Sequence, residues 1–551
     1  MFPLTVVLAG LSLQLVQAQT LPDREMQEMP LPAAEPLTLP NELLPPPQLP
    51  EPEQERLKVK VDRIEVIGST RFKLEDFAKV VAPYAGRELT FAELVQARTA
   101  VTKLYTEKGY VTTGALILPQ TIDNGVVQIQ VVEGTLEDIA VTGNRRLNSG
   151  YIRDRIRKGV GTPLNVDNLL ENLQLLRLDS RIKNLSADLQ AGVRPGTNRL
   201  AIDIQEADTF AISTALDNGR SPSVGSFRRK VELREGNLLG FGDAITVGYS
   251  NTKGSNALDL NYTLPINSRN GTAWFSYGGS RNTVIEQPFS VLDIQSRSRY
   301  YEFGMRQPLL QKPTEELAMG FAFSRQESQT ALGIDNIGPF PLSPGADDQG
   351  RTRISALRFF QEYTKRSERH VLALRSQFSV GLNWFGANVS ATGPDSRFVS
   401  WRGQGQWVRQ LAPESLFLIK GDLQMASKAL VPLEQFGLGG QLSVRGYRQD
   451  ALLSDAGALM SAEMRLPLIR MGRSGGVIQV APFVDLGTVW NVGNKSPTPN
   501  FLAGAGLGLI WKQSDALSVR LDWGIPLKRL EGDRASLQEK GLYFSVSYTP
   551  F

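Results

Sequence analysis

From residue 208 onward, apolar residues recur at every second position in short runs. Examples are Ile245, Val247 and Tyr249; Leu258, Leu260, Tyr262 and Leu264; Leu317, Met319, Phe321 and Phe323; and Leu517, Val519, Leu521 and Trp523. Gly, Asn, Ser and Asp separate the runs, and the alternate positions are polar or small. A period of two predicts strands with one apolar and one polar face, as in a barrel with lipid outside and a polar lumen inside. The 344 residues from 208 to 551, at about twenty per strand and loop, give an antiparallel barrel of about 16 strands. A large soluble β-protein is the alternative that periodicity alone leaves open.

Between residues 58 and 207 the period changes back and forth between two and 3.6. Val61, Ile64, Val66 and Ile67 form a strand-like run closed by Gly68, and 72–84 reads as one helix. Thr90 with Glu93 is a capping box. It opens a helix carrying Leu94, Val101, Leu104 and Tyr105 on one face, which Gly109 stops. Strands are predicted at 111–118 and 126–132, ending in Glu133-Gly134. The same order returns: strand 136–141 with Gly143, helices 149–158 and 166–178, strands 185–189 and 200–204. Two units of about 75 residues with one element order indicate an internal repeat. Each closing strand is expected at a sheet edge, where an extended peptide can add through backbone hydrogen bonds.

The N-terminus has an apolar run over 4–16 followed by Val16-Gln17-Ala18. This reads as a signal peptide over 1–18; its first residues carry no Lys or Arg, so either the terminal amine supplies the charge or the true start lies upstream. Residues 19–57, with Pro45-Pro46-Pro47 at the centre, read as an extended spacer. A short helix over 21–29 that plugs a pore is the alternative. No other segment approaches the roughly 18 apolar residues of a membrane helix, so any membrane crossing is made by strands.

A hydrophobic fraction of 41% and a mean hydropathy of -0.19 fit a barrel, where outward apolar residues are matched by inward polar ones. The absence of cysteine excludes disulfides and thiolate metal sites. The single histidine, His370, lies beside Val371, Leu372 and Leu374 and reads as a strand-end residue, which argues against histidine-dependent catalysis and against an enzyme. A net charge of +4 without a basic, aromatic-studded face argues against a nucleic-acid partner. Asp217, Asp243, Asp455 and Asp522 lack metal spacing and read as turn or lumen residues. Gly504-Ala505-Gly506-Leu507-Gly508 sits outside any βαβ unit, so it is no nucleotide loop. It reads as small lumen-facing residues near something packed inside the barrel. No cofactor is expected.

Two motifs remain: Val444-Arg445-Gly446-Tyr447 and Phe483-Val484-Asp485-Leu486-Gly487. An arginine on a loop and an aspartate on a strand, both inside a barrel, could pair where screening is reduced. The first repeat carries Leu104-Tyr105, Gly109-Tyr110, Leu118-Pro119, Gly125 and Val132-Glu133-Gly134, and Asn237-Leu238-Leu239-Gly240 with Gly242-Asp243 follows later. Taken together, residues 58–551 resemble the two-partner-secretion transporters, the ShlB/FhaC/HecB type of hemolysin secretion/activation protein.

The resemblance implies α+β periplasmic POTRA domains at 58–134 and 135–207, followed by an all-β transmembrane barrel at 208–551 in a Gram-negative outer membrane. It implies export of one large exoprotein, of hemolysin or adhesin type, with an N-terminal secretion domain. Outer-membrane lipids and the barrel-assembly machinery would be further partners. Arg445, at the tip of a loop folded into the lumen, would pair with Asp485 on the wall. Gly446 would permit the tight tip and Tyr447 would pack beside it, with Val444, Phe483 and Gly487 completing the two motifs. With no nucleotide site visible, folding of the partner outside the cell would drive export. A barrel-assembly factor of the same superfamily is the alternative, although such factors tend to have more POTRA domains. A barrel hydrolase lacks its nucleophile constellation, and a passive porin needs no POTRA domains. Pro550 lacks a ladder donor, so Phe551 is expected just past the last strand.

Overall fold

The computed structural model describes residues 58–550 apart from 392, 473–475, 515 and 531–534. The expected signal peptide, the proline-rich tail and Phe551 lie outside the described residues. The chain divides into two compact units, with the break at Ala207/Asp208.

In the N-terminal unit, Lys58–Val61 (β1) and Arg63–Ile67 (β2) are separate strands. The expected single run breaks because the parity of its apolar residues slips, from odd (Val59, Val61) to even (Ile64, Val66). β1 instead pairs with Arg87–Thr90 (β3), a strand the apolar pattern does not announce. Leu74–Val81 (α1) is shorter than the expected helix and ends in a 3-10 turn at Ala82–Tyr84 containing Pro83. Phe72 lies ahead of the helix, its ring edge-on to Tyr105 at 4.8 Å. Phe91–Thr106 (α2) starts at the Thr90/Glu93 capping box. Gly114–Leu116 (β4) is shorter than expected, and Val126–Val132 (β5) follows. The second repeat runs Thr135–Thr142 (β6), Ser149–Val160 (α3), Val166–Arg177 (α4), Ile182–Ala191 (β7) and Thr197–Glu206 (β8).

The closing strands β5 and β8 are central rather than at the edge. β5 lies between β2, to which it is parallel, and β4; β8 lies likewise between β6 and β7. Being central, β5 and β8 bury one face under the helices, with Ile129 and Val131 in one core and Leu200, Ile202 and Ile204 in the other. The free edges are therefore the flanking strands.

A glutamate performs the same task at the C-terminal side of both central strands, Glu133 directly after β5 and Glu206 as the last residue of β8. The Glu133 carboxylate accepts the backbone N–H of Thr70 at 2.8 Å and of Arg71 at 3.2 Å, and the Tyr105 hydroxyl at 2.9 Å. Glu206 accepts the N–H groups of Arg145, Arg146 and Leu147 at 2.6, 3.0 and 2.9 Å. Each ties down the turn from first strand to first helix, just after a glycine at positive φ, Gly68 or Gly143.

In the C-terminal unit sixteen antiparallel strands close a barrel, from Phe210–Asp217 to Leu542–Tyr548. Alternation sets the two faces: on Ile294–Lys312, Ser296, Ser298 and Tyr300 are buried toward the lumen, while Phe303 and Met305 are exposed outward. The seam between last and first strand has four register pairs, Ser545↔Asp217 to Tyr548↔Thr214. It is lengthened by the Asn218 side chain, which donates to the Leu542 carbonyl at 2.9 Å and accepts the Phe544 N–H at 2.8 Å. No described helix is long and apolar enough to cross a membrane. His370 begins the strand His370–Leu382.

Burial works to raise the carboxyl pKa of Glu133 and of Glu206, but the hydrogen bonds outweigh it and leave both below the ordinary glutamate value. Their stabilisation is therefore present above the ordinary glutamate range and is lost as pH falls through the lowered values. Glu133→Ala and Glu206→Ala should each destabilise the N-terminal unit by ~1–3 kcal/mol at neutral pH. Because α1 to α4 all lie in this unit, helical circular dichroism during urea unfolding of the whole protein reports it. A penalty that stays constant down to strongly acid pH would contradict the assignment.

Candidate functional site in the barrel lumen

The segment 427–455 joins strands Ser415–Ala426 and Ala456–Met471. It contains a 3-10 turn, Pro432–Glu434, and a small hairpin in which Phe436–Leu438 pairs with Leu452–Ser454. The hairpin is a sheet of its own, separate from the wall. Phe436, Leu438, Val444, Tyr447 and Leu452 pack with the wall residues Val489 and Leu502 in a buried apolar core, so Val444 is an apolar anchor of the tip.

At the tip, the Arg445 guanidinium meets Asp485 as a two-pronged fork, Nε to Oδ2 at 2.7 Å and Nη2 to Oδ1 at 2.9 Å. The Arg445 backbone N–H adds a third bond to Oδ2 at 3.1 Å. Nη1 donates to Glu463 at 2.7 Å and lies 3.7 Å from Asp522. The Phe483 ring forms the floor, with the guanidinium carbon 3.3 Å from its centroid. Arg520 bridges Glu463 and Asp522 at 2.6 and 2.7 Å, and Arg465 donates to Glu463 at 2.8 Å. Three guanidinium groups thus face three carboxylates, and Asp485 and Asp522 are 0% exposed. The count balances, as burial of so many charges demands.

Small wall residues let the tip dock flush. A side chain on Gly504 would collide with the Arg445 carbonyl, one on Gly487 with Leu438, and one on Gly457 with the Phe436 ring. Gly446 has φ +103° and lies against the Ile525–Pro526 backbone, so both its conformation and its space exclude a Cβ. Its N–H donates to the Tyr543 hydroxyl at 2.9 Å, which donates to the Tyr447 carbonyl at 2.5 Å. The Tyr447 hydroxyl donates to the Lys528 carbonyl at 2.7 Å, with the Ala503 carbonyl at 2.9 Å.

The loop has further ties that no motif announces. Near its start, Glu434 receives a fork from Arg358 at 2.7 and 3.2 Å, both side chains buried. At its end, Asp455 accepts the N–H groups of Leu430 and Val492, each at 2.9 Å. Beyond the tip, Arg448 grips Glu286 at 2.7 Å and reaches Glu539 at 3.2 Å. Glu463, Arg465, Arg520 and Asp522 show only lumen parity in the sequence; which of them meet depends on strand register. Arg358 and Glu434 give no local signal at all.

The other aspartates singled out in the sequence hold structural places. Asp217 pairs with Arg228 at 3.0 Å, and Asp243 caps the turn Asn237–Asp243 by accepting the Leu239 N–H at 2.9 Å. Among the described residues no group of His, Asp or Glu could hold a metal ion.

Residues 196–510 match the model of the haemolysin secretion/activation protein family ShlB/FhaC/HecB, and residues 59–134 match the ShlB-type POTRA domain. The outer membrane transporter CdiB of Dickeya dadantii is 22% identical over 470 residues, covering 83% of this chain and 81% of its own. The heme/hemopexin transporter protein HuxB of Haemophilus influenzae is 22% identical over 454 residues, covering 79% and 76%. The solved structure of CdiB from Escherichia coli superposes with a TM-score of 0.70 at 20% identity, covering 100% of this chain and 99% of that one. BamA from Haemophilus ducreyi, lacking POTRA domains 1–3, shares the fold with a TM-score of 0.53 at 15% identity, covering 90% and 100%.

Because the chain has no cysteine, a single introduced thiol reports local opening cleanly. Val444→Cys, at a fully buried position, should label slowly with a water-soluble maleimide. Adding Asp485→Ala leaves Arg445 undercompensated and should raise the labelling rate by about 10- to 100-fold, the equivalent of ~1.4–2.8 kcal/mol. An unchanged rate would show that the tip is held by its apolar core alone.

Proposed function

The chain belongs to the haemolysin secretion/activation protein family, outer-membrane transporters that secrete a partner exoprotein, and from that premise we propose how its own residues perform the export. The partner is a large exoprotein of hemolysin or adhesin type, passed in extended form from the periplasmic domains into the barrel. The second repeat, 135–207, acts as a second POTRA domain. Its edge strand β7, ten residues long and unpaired on one side among the described residues, accepts the incoming chain as an added strand. Lipids of the outer membrane surround the barrel, and the cell's barrel-assembly machinery inserts it.

One observation carries the reading of the loop. Its contacts run round the circumference: the strand Arg351–Arg366 through Arg358, Gly476–Trp490 through Asp485, Leu542–Tyr548 through Tyr543, and the loop at Glu286. A segment tied at such spread points crosses the lumen, and a polypeptide can pass only if it moves. The ties are ion pairs, hydrogen bonds and a small apolar core, all reversible. Arg445 and Asp485 form the latch, Gly446 and Gly487 supply the room for it, and Phe483 is its seat. Displacement exchanges these contacts for those of the passing chain, and folding of the exoprotein outside makes the passage one-way.

A covalent lock tests this. A Cβ at Gly487 would stand 3.1 Å from the Leu438 Cγ position, close to the separation a disulfide needs. In Leu438→Cys/Gly487→Cys, where the smaller side chain at 438 relieves the collision, oxidation should stop appearance of the exoprotein in the medium and reduction should restore it, while Leu438→Cys alone should respond to neither treatment. Secretion that continues with the lock fully formed would refute loop displacement.

A further inference from the structure

The outward face of the barrel carries a patch that lies off the proposed path through the lumen. On four adjacent strands, at the end bearing the long loops, arginines project outward in register. Arg281 stands opposite Arg297, Arg297 opposite Gln329, and Gln329 opposite Arg351. One step toward the membrane lie Arg299, Glu327 and Arg353, and after them Tyr277, Tyr301 and Arg325. Below those the rows turn apolar: Phe275, Phe303, Phe323 and Leu357, then Met305, Phe321 and Phe359.

The charges are not balanced within the patch. Arg325 pairs with Glu327 at 2.9 Å and Arg353 with Asp347 at 3.0 Å. Arg281, Arg297, Arg299 and Arg351 are exposed, and among the described residues no carboxylate pairs with them. Like charges directly opposite on neighbouring strands repel, so Arg281 and Arg297 favour an anion between them. A cleft of about 340 Å³ opens in the array, lined by Arg297, Arg299, Glu327, Gln329, Arg351 and Arg353. Among the described residues the opposite wall carries no such array. At the same end of the opposite wall, outward positions are Val380, Val399, Met425, Leu486, Phe501 and Ile525.

The height of the array identifies its ligand. The first strand starts at Phe210 on the side of the periplasmic domains, so the loop end faces the outer leaflet. Arg299 and Arg297 lie four and six residues along their strand from Phe303. At about 3.3 Å per residue and a tilt of about 40°, that is roughly 10 and 15 Å above the aromatic row. We propose that this patch is a binding site for the phosphorylated, acylated glycolipid of the outer leaflet. The phosphates would sit on Arg297, Arg299 and Arg351, and the acyl chains would run down over Phe303, Phe321 and Phe323. Guanidinium forks suit phosphate oxygens, and the site combines a polybasic headgroup contact with an apolar tail contact.

The test uses native mass spectrometry of the whole protein in detergent, with bis-phosphorylated lipid A as probe. Wild type should retain one lipid A per chain. Dephosphorylated lipid A and phosphatidylethanolamine should be held at least 10-fold less, and millimolar inorganic phosphate should not displace the lipid. Arg297→Ser/Arg299→Ser/Arg351→Ser, with heat-modifiable mobility showing a folded barrel, should lose retention at least 10-fold. Equal retention by the triple variant, or equal retention of dephosphorylated lipid A, overturns the proposal. Displacement by free phosphate would reduce the site to a phosphate site only. Should the triple variant fail to fold, the wild-type comparison among the lipids decides alone.

Discussion

The structure of the lumen depends on one buried fork: Arg445 on Asp485, with Glu463, Arg520, Asp522 and Arg465 closing the charge balance. A guanidinium 4% exposed is tolerable only where carboxylates, hydrogen bonds and an aromatic floor replace its water together. That requirement explains the glycines at 446, 487 and 504. Each removes bulk so that backbone and guanidinium can approach the wall closely enough for the bonds to form. It also explains why the loop carries its own small sheet, since a floppy tip would lose too much entropy on docking.

The two halves of the chain solve the same problem at different scales. In each N-terminal repeat a single carboxylate, Glu133 or Glu206, gathers backbone N–H groups of one turn. In the barrel a mesh of six charges gathers a whole loop. Both devices depend on register. The glutamates stand where central strands finish, Glu206 within β8 and Glu133 just past β5, and the lumen charges occupy alternate positions whose partners are fixed only when neighbouring strands align.

The sequence carried periodicity and motifs well and long-range pairing poorly. Alternation at Leu317, Met319, Phe321 and Phe323 marks a strand because each residue reports its own face. The pairing of Arg445 with Asp485 is suggested by two compact motifs and a family resemblance, whereas Arg358 and Glu434 stand 76 residues apart with nothing local to join them. The placement of β5 and β8 at an edge failed for a related reason. Chain order does not give sheet order when a parallel pairing such as β2 with β5 intervenes. The break at Asp62 was legible in the parity change between Val61 and Ile64, but β3, at Arg87–Thr90, offers only one buried apolar residue, Leu89, as a signal.

The seam has a consequence for how the barrel comes into being. Its four residue pairs join Asp217 to Ser545 and Thr214 to Tyr548, the most distant pairing in the wall, while every other strand finds its partner nearby in the chain. Loop-closure entropy therefore places this contact last. Until the final strand has been delivered, two unpaired strand edges stand open, each able to recruit any extended chain it meets. The newly exported polypeptide is thus born with an aggregation hazard at both ends of its sheet, and the Asn218 side chain, bonded to both Leu542 and Phe544, acts as a clasp that holds those ends together once they meet.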